Sequence, residues 1–245
     1  IPRAFFLTIG LPARDDAWLA GFTKGMTELS RQASCPLLGG DTTRTAKVGD
    51  IHAPVTISIT AMGELPQSMG LTRSGARPGD DIWVSGCVGG AWAALMHRWG
   101  KLTLDARVFP AAALAMDRPN PRNALGTALL SSATACADIS DGLAQDLGHI
   151  LERSGVDADV LWDAVPKHPA LAALSQEQQV EAAMSGGDDY ELVFTAPADK
   201  RGLIEQASIS ALTPVTRIGR IVEKKPSGAP LAIRDAFGRP LFLPV

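Results

Sequence analysis

The chain has 245 residues, 46% of them hydrophobic and 20% charged, with a net charge of −3. That balance supports a folded core and excludes disorder. It leaves no broad basic field for nucleic acid or an anionic membrane surface.

No apolar run reaches the roughly 20 residues of a membrane span, and no signal peptide is visible. Cys35, Cys87 and Cys136 are scattered and odd in number, which fits a reducing cytoplasm and gives neither a disulfide framework nor a zinc site. His52, His97, His149 and His168 are equally dispersed and read as solvated or core residues. The chain opens on Ile1-Pro2-Arg3 and runs straight into an apolar stretch, so position 1 reads as the middle of a larger protein.

Ala4 to Gly10 reads as a buried strand. Asp15 to Ala33 has helical spacing at Trp18, Leu19, Phe22, Met26 and Leu29, with Asp15 or Asp16 as its cap. Cys35 to Leu38 is a short strand that ends at a Gly-Asp loop. Pro54 to Gly63 alternates, and Val55, Ile57 and Ile59 are expected to face inward. A seam rich in Gly, Pro and Ser follows from Glu64 to Arg77, dividing the chain into 1–66 and 67–245.

Beyond the seam, Ile82 to Ser85 is a strand and Gly89-Gly90 opens a helix through Trp99. Asn123 to Ser132 is helical, and Thr134 to Ile139 is a strand. From Asp141 to Arg153 the residues Leu143, Leu147, Ile150 and Leu151 share a helical face that Gly155 stops. Val160 to Trp162 is a strand, Leu171 to Met184 a helix, and Tyr190 to Thr195 a strand. Lys200 to Ser208 is a helix and Pro214 to Ile221 the last strand. The class is α/β or α+β in two layers.

Four motifs carry the chemistry: Gly39-Gly40-Asp41-Thr42-Thr43-Arg44, Leu71-Thr72-Arg73-Ser74-Gly75, Asp138-Ile139-Ser140-Asp141-Gly142 and Ser185-Gly186-Gly187-Asp188-Asp189-Tyr190-Glu191. Three place carboxylates beside glycine where an apolar segment ends. Such clusters repel unless a cation sits between them, and Mg²⁺ is the usual one when phosphates are present. Each motif also has a plainer reading. Ser140 or Asp141 can simply cap a helix, Gly39 to Asp41 can be an ordinary turn, and Arg73 can be a surface arginine. Asp138 is not needed for capping, which favours a metal cradle, and Ser140 can donate to a phosphate oxygen. Asp188 and Asp189 point to opposite sides of an extended backbone, so one is expected to face the site and the other to hold the loop. There is no Walker loop, no kinase glycine loop and no Ser-His-Asp set.

Together the four motifs, in this order, resemble the thiamine-monophosphate kinase family. That family shares the two-domain ATP-binding fold of aminoimidazole ribonucleotide synthetase, here with its N-terminal domain truncated. The resemblance implies ATP and Mg²⁺, with thiamine monophosphate phosphorylated to thiamine diphosphate by direct in-line transfer. It implies Asp41, Asp138 and Asp141 as metal ligands, the last two catalytic, and Gly40, Asp41, Arg73 and Ser140 as nucleotide contacts. Asp188 stands where the family holds the thiamine phosphate, usually through a glutamate. A homodimer is implied as well.

The family also carries a further N-terminal segment with more acidic ligands and a substrate-facing histidine, absent from this sequence. Its usual aromatic tail motif is replaced here by Asp235-Ala236-Phe237-Gly238-Arg239-Pro240-Leu241-Phe242. The alternatives are another ATP-dependent synthetase of the same superfamily, or a non-catalytic nucleotide-binding protein.

Overall fold

A computed structural model describes residues 1–49, 51–66 and 70–243. The chain divides into two compact units, Ile1–Ser68 and Met69–Val245. The expected boundary, between residues 66 and 67, touches residues outside those described.

In the first unit, strand β1 (Pro2–Leu11) lies between β2 (Leu37–Arg44), parallel to it, and β5 (Thr56–Gly63), antiparallel. Helix α1 (Asp16–Gln32) connects β1 to β2, and the Asp15 carboxylate caps it by accepting from the amides of Ala17 and Trp18. A small hairpin, β3 (Lys47–Val48) and β4 (Ile51–His52), intervenes before β5.

Two expectations change here. The Gly-Asp motif was expected as a loop, but parallel pairing with β1 carries β2 through all of it, with Thr8 opposite Asp41. Ile57 and Ile59 share a face with Ile9 and Leu7 as alternation requires. They are nevertheless 43% and 55% exposed, because nothing covers that edge of the sheet among the described residues.

The second unit is built on a seven-stranded sheet. It contains β6 (Asp81–Ser85), β7 (Ala135–Ile139), β8 (Asp157–Leu161), β9 (Glu191–Ala196), β10 (Val215–Val222), β11 (Leu231–Arg234) and β12 (Pro240–Leu241), in the order β12-β11-β8-β10-β6-β9-β7. Its helices are α2 (Gly90–Arg98), α3 (Phe109–Asp117), α4 (Asn123–Ala128), α5 (Leu143–Ser154), α6 (Gln176–Val180) and α7 (Arg201–Ser210).

Ile82 and Val84 point into a core shared with α2, α3 and α5, while Trp83 and Phe194 stack on the other face among α4 and α7. With both faces apolar the unit has three layers, one more than expected. The single helix expected over Leu171 to Met184 is broken. A turn at Pro169–Leu171 precedes α6, which begins at a Ser175–Gln178 capping box and widens into a looser turn over Glu181–Ser185.

Candidate active site

The acidic loops of the second unit meet at one edge of its sheet. Strand β7 pairs antiparallel with β9, so the end of one strand lies beside the start of the other, Ile139 opposite Glu191. The Ser140 loop follows β7 and the Ser185–Tyr190 loop precedes β9. The Asp188 amide donates to the Ser140 carbonyl and the Tyr190 amide to the Ile139 carbonyl, each at 2.8 Å. Glycine is required where the loops interlock. Gly142 has φ 116° and Gly187 φ 67°, and a Cβ on either would collide with the backbone of the other loop.

This arrangement brings Asp138, Ser140, Asp141 and Asp188 together. The three carboxylates are exposed, and no ion pair among the described residues engages any of them. Asp141 was offered as a helix cap and is not one. Asp146, one turn into α5, reaches back to accept from the amides of both Ser140 and Asp141 at 3.0 Å. Burial raises the Asp146 carboxyl despite those two bonds, and its second oxygen is buried without a partner. Among the described residues the Asp141 carboxylate has only a 3.3 Å hydrogen bond, donated by the Gln145 side-chain amide, which leaves it available to a ligand. Hard, uncompensated oxygen donors in adjacent loops suit a divalent cation such as Mg²⁺.

Sequence spacing missed His149. The helix sets it near this cluster, its donor atom within 4.8 Å of those of Asp141 and Asp146. The i, i+3 step from Asp146 on an amphipathic helix was the available signal.

The two adjacent acids of the fourth motif part company as expected. Asp188, at φ 58°, is exposed beside the Ser140 loop. Asp189 turns away and takes the Gly89 amide at 2.9 Å on both oxygens, closing the N-terminus of α2. Its burial lifts the carboxyl to about 7, against those amide bonds and with help from the nearby Glu191 and Asp188 charges.

Glu191 is buried and held from two sides. Arg122 grips it through a fork at 2.7 and 2.5 Å, and the Ser85 hydroxyl donates at 2.5 Å. This Arg–Glu–Ser cluster was not legible in the sequence, because its members stand 69 and 106 positions apart.

Arg73 lies elsewhere in the unit. Its carbonyl accepts from Ser154 at the last turn of α5, whereas the acids sit before the first turn. Twelve helical residues separate those ends by about 18 Å. In the first unit, Asp41 is exposed on β2, in a row with Thr8 and Ser58. Gly40 has a packing reason of its own, since a Cβ there would collide with the Leu7 carbonyl oxygen.

Comparison with known proteins adds the following. Residues 1–65 match the N-terminal domain of AIR synthase related proteins, and residues 77–230 match their C-terminal domain. The thiamine-monophosphate kinase of Salmonella typhimurium is 37% identical over 225 residues, which cover 90% of this chain and 66% of that protein. This chain therefore spans just under two thirds of that relative's length.

The crystal structure of thiamine-monophosphate kinase from Stenotrophomonas maltophilia superposes with a TM-score of 0.85 at 39% identity, over 95% of this chain and 72% of that one. A structure of AaThiL complexed with AMPPCP and TMP gives 0.78 at 26% identity, over 95% and 70%.

Proposed function

We propose, from the premise that the chain belongs to the thiamine-monophosphate kinase family, that its protein transfers the γ-phosphate of ATP to thiamine monophosphate, giving thiamine diphosphate and ADP. The observation that carries this reading is the convergence of Asp138, at the end of β7, with Ser140, Asp141 and Asp188 on two interlocked loops, where Asp146 fixes the Ser140–Asp141 backbone and the Asp141 side chain caps no helix.

Asp138 and Asp141 are assigned to hold Mg²⁺, and Asp41, on β2 of the first unit, is assigned as a metal ligand in its own right. A bound Mg²⁺ supplies charge neutralisation between donor and acceptor phosphates. Ser140 is placed to donate to a phosphate oxygen. Asp188 is assigned to the acceptor substrate, whose thiazolium ring is cationic. Gly40 and Arg73 are assigned to the nucleotide, Arg73 because a guanidinium fork suits phosphate and has no ion-pair partner among the described residues. The acceptor is a phosphate oxygen and already nucleophilic, so no side chain is assigned as general base. Orientation and charge placement carry the chemistry.

The domain division at residues 66 and 67 is part of the same reading, as is a location in the cytoplasm. No described helix is long and apolar enough to cross a membrane. A homodimer is proposed through the first unit, supported by the apolar side chains it leaves exposed, Leu38, Ile57 and Ile59 among them.

The decisive assay gives the full-length protein ATP, Mg²⁺ and thiamine monophosphate and measures thiamine diphosphate, with Asp141→Asn as control. Turnover by the wild type and a loss of about 10²–10³-fold in the variant, at unchanged melting temperature, are expected. Nucleotide binding without thiamine diphosphate formation would sink the assignment.

A further inference from the structure

Tyr190 is the sole tyrosine of the chain, and it is exposed to 43% with its backbone in the left-handed region at φ 49°. Gly187 and Asp188 precede it at φ 67° and 58°. A chain that needs only to turn places glycine or asparagine at such positions. Here an aromatic is forced into one, and the surroundings hold it there.

The Tyr190 amide is bonded to the Ile139 carbonyl. On one side Asp189 is fastened to the start of α2, and on the other Glu191 is clamped by Arg122 and Ser85. Both neighbours are tied inward, which leaves the ring facing out. Strain maintained this way is the mark of a side chain used on something outside the fold.

The ring also has a particular neighbourhood. Its hydroxyl lies 3.3 Å from a carboxylate oxygen of Asp188. The Tyr190 and Asp188 amides bond the Ile139 and Ser140 carbonyls, which sets Tyr190 beside the segment carrying Asp138 and Asp141, and burial and then the charges of Asp188, Asp138 and Asp141 push the phenol up. A permanent cation that is also flat and aromatic suits that environment. The carboxylates attract its charge, and the face of a tyrosine attracts both charge and ring.

We propose that Tyr190 is a specificity-determining residue whose ring packs on the cationic heteroaromatic ring of the acceptor substrate, with Asp189 and Glu191 as the positioning residues that hold it. The proposal rests on the kinase reading above.

The test uses the full-length enzyme with Tyr190→Phe and Tyr190→Leu. Tyr190→Leu raises KM for thiamine monophosphate about five- to thirtyfold and leaves KM for ATP within about twofold, while Tyr190→Phe stays near wild type on both. Asp189→Asn moves the same KM, and adding it to Tyr190→Leu brings little further loss, since both act on one contact. Equal rises in both KM values, an unchanged KM in Tyr190→Leu, or a Phe variant as poor as Leu would overturn the proposal.

The wild type gives a second measurement that needs no variant. An analogue with a neutral ring in place of the thiazolium should compete about five- to thirtyfold less well than the cationic substrate. Equal competition overturns the proposal while leaving the kinase reading intact. A wild type that does not phosphorylate thiamine monophosphate removes the kinase reading itself.

Discussion

Strands β5 and β6 are both rich in alternating or continuous apolar residues, yet every residue of β6 is buried and every residue of β5 is exposed. The difference lies in what covers them. In the second unit helices close both faces of the sheet, with α2, α3 and α5 on one side and α4 and α7 on the other. In the first unit α1 buries none of its own residues, and the Ile57–Ile59 row stays open. Periodicity states which side chains share a face. It does not state that the face has a partner.

The largest expected effect tests how closed the second unit is. Glu191 is buried against Arg122, so removing the arginine leaves an unpaired charge in the interior. Arg122→Ala should cost about 3–5 kcal/mol, read as a melting temperature lowered by roughly 10 °C. Arg122→Met combined with Glu191→Gln should recover most of that loss. If the single variant melts like the wild type, the cluster is not a clamp and the loop it anchors is held by something else.

A smaller effect concerns Asp189, whose carboxyl burial lifts to about 7. Unfolded, the same group ionises near 3.9. Between those values the folded chain holds a proton that the unfolded chain has released, so stability falls as pH rises from about 4 to 7 and levels off above. Over pH 5 to 7.5 the loss attributable to Asp189 is about 2–3 kcal/mol. Melting curves across that range should show the decline in the wild type and a flatter profile in Asp189→Asn. Equal slopes in both proteins would remove Asp189 as the cause.

Legibility in the sequence followed the range of the interaction. The α5 face, its Gly155 stop and the β7 strand were readable because period and cap are local. Asp188 and Asp189 part as alternation suggests, but not for its reason, because the backbone there is not extended and Asp188 lies at φ 58°. Most of what failed depended on distant partners. The first motif looked like a loop because Gly39, Gly40 and Asp41 are poor strand formers, yet pairing with β1 overrides their propensity and Gly40 is the residue that fits against Leu7. Asp141 is a local miss: it stands before α5 as a cap would, yet α5 starts without a side-chain cap and Asp146 accepts from the Ser140 and Asp141 amides instead. Arg122 gave no signal at all, since its value comes entirely from Glu191.

The smallest effect is expected at Ile59, and it separates the two units most directly when set against Ile82. Ile82 is fully buried, so Ile82→Ser loses its packing and leaves a hydroxyl without a guaranteed partner, a change worth several kcal/mol. Ile59 is 55% exposed and stands opposite Leu7 in the strand pair. Ile59→Ser should therefore cost about 1 kcal/mol or less within one chain. Any larger consequence must come from a covering partner. If a second copy packs on this row, Ile59→Ser in the full-length protein shifts sedimentation toward the monomer at concentrations where the wild type is dimeric. The melting temperature of the dilute protein should barely move. A dimer undiminished by Ile57→Ser and Ile59→Ser together would place the interface elsewhere and leave the open row of β5 without that explanation.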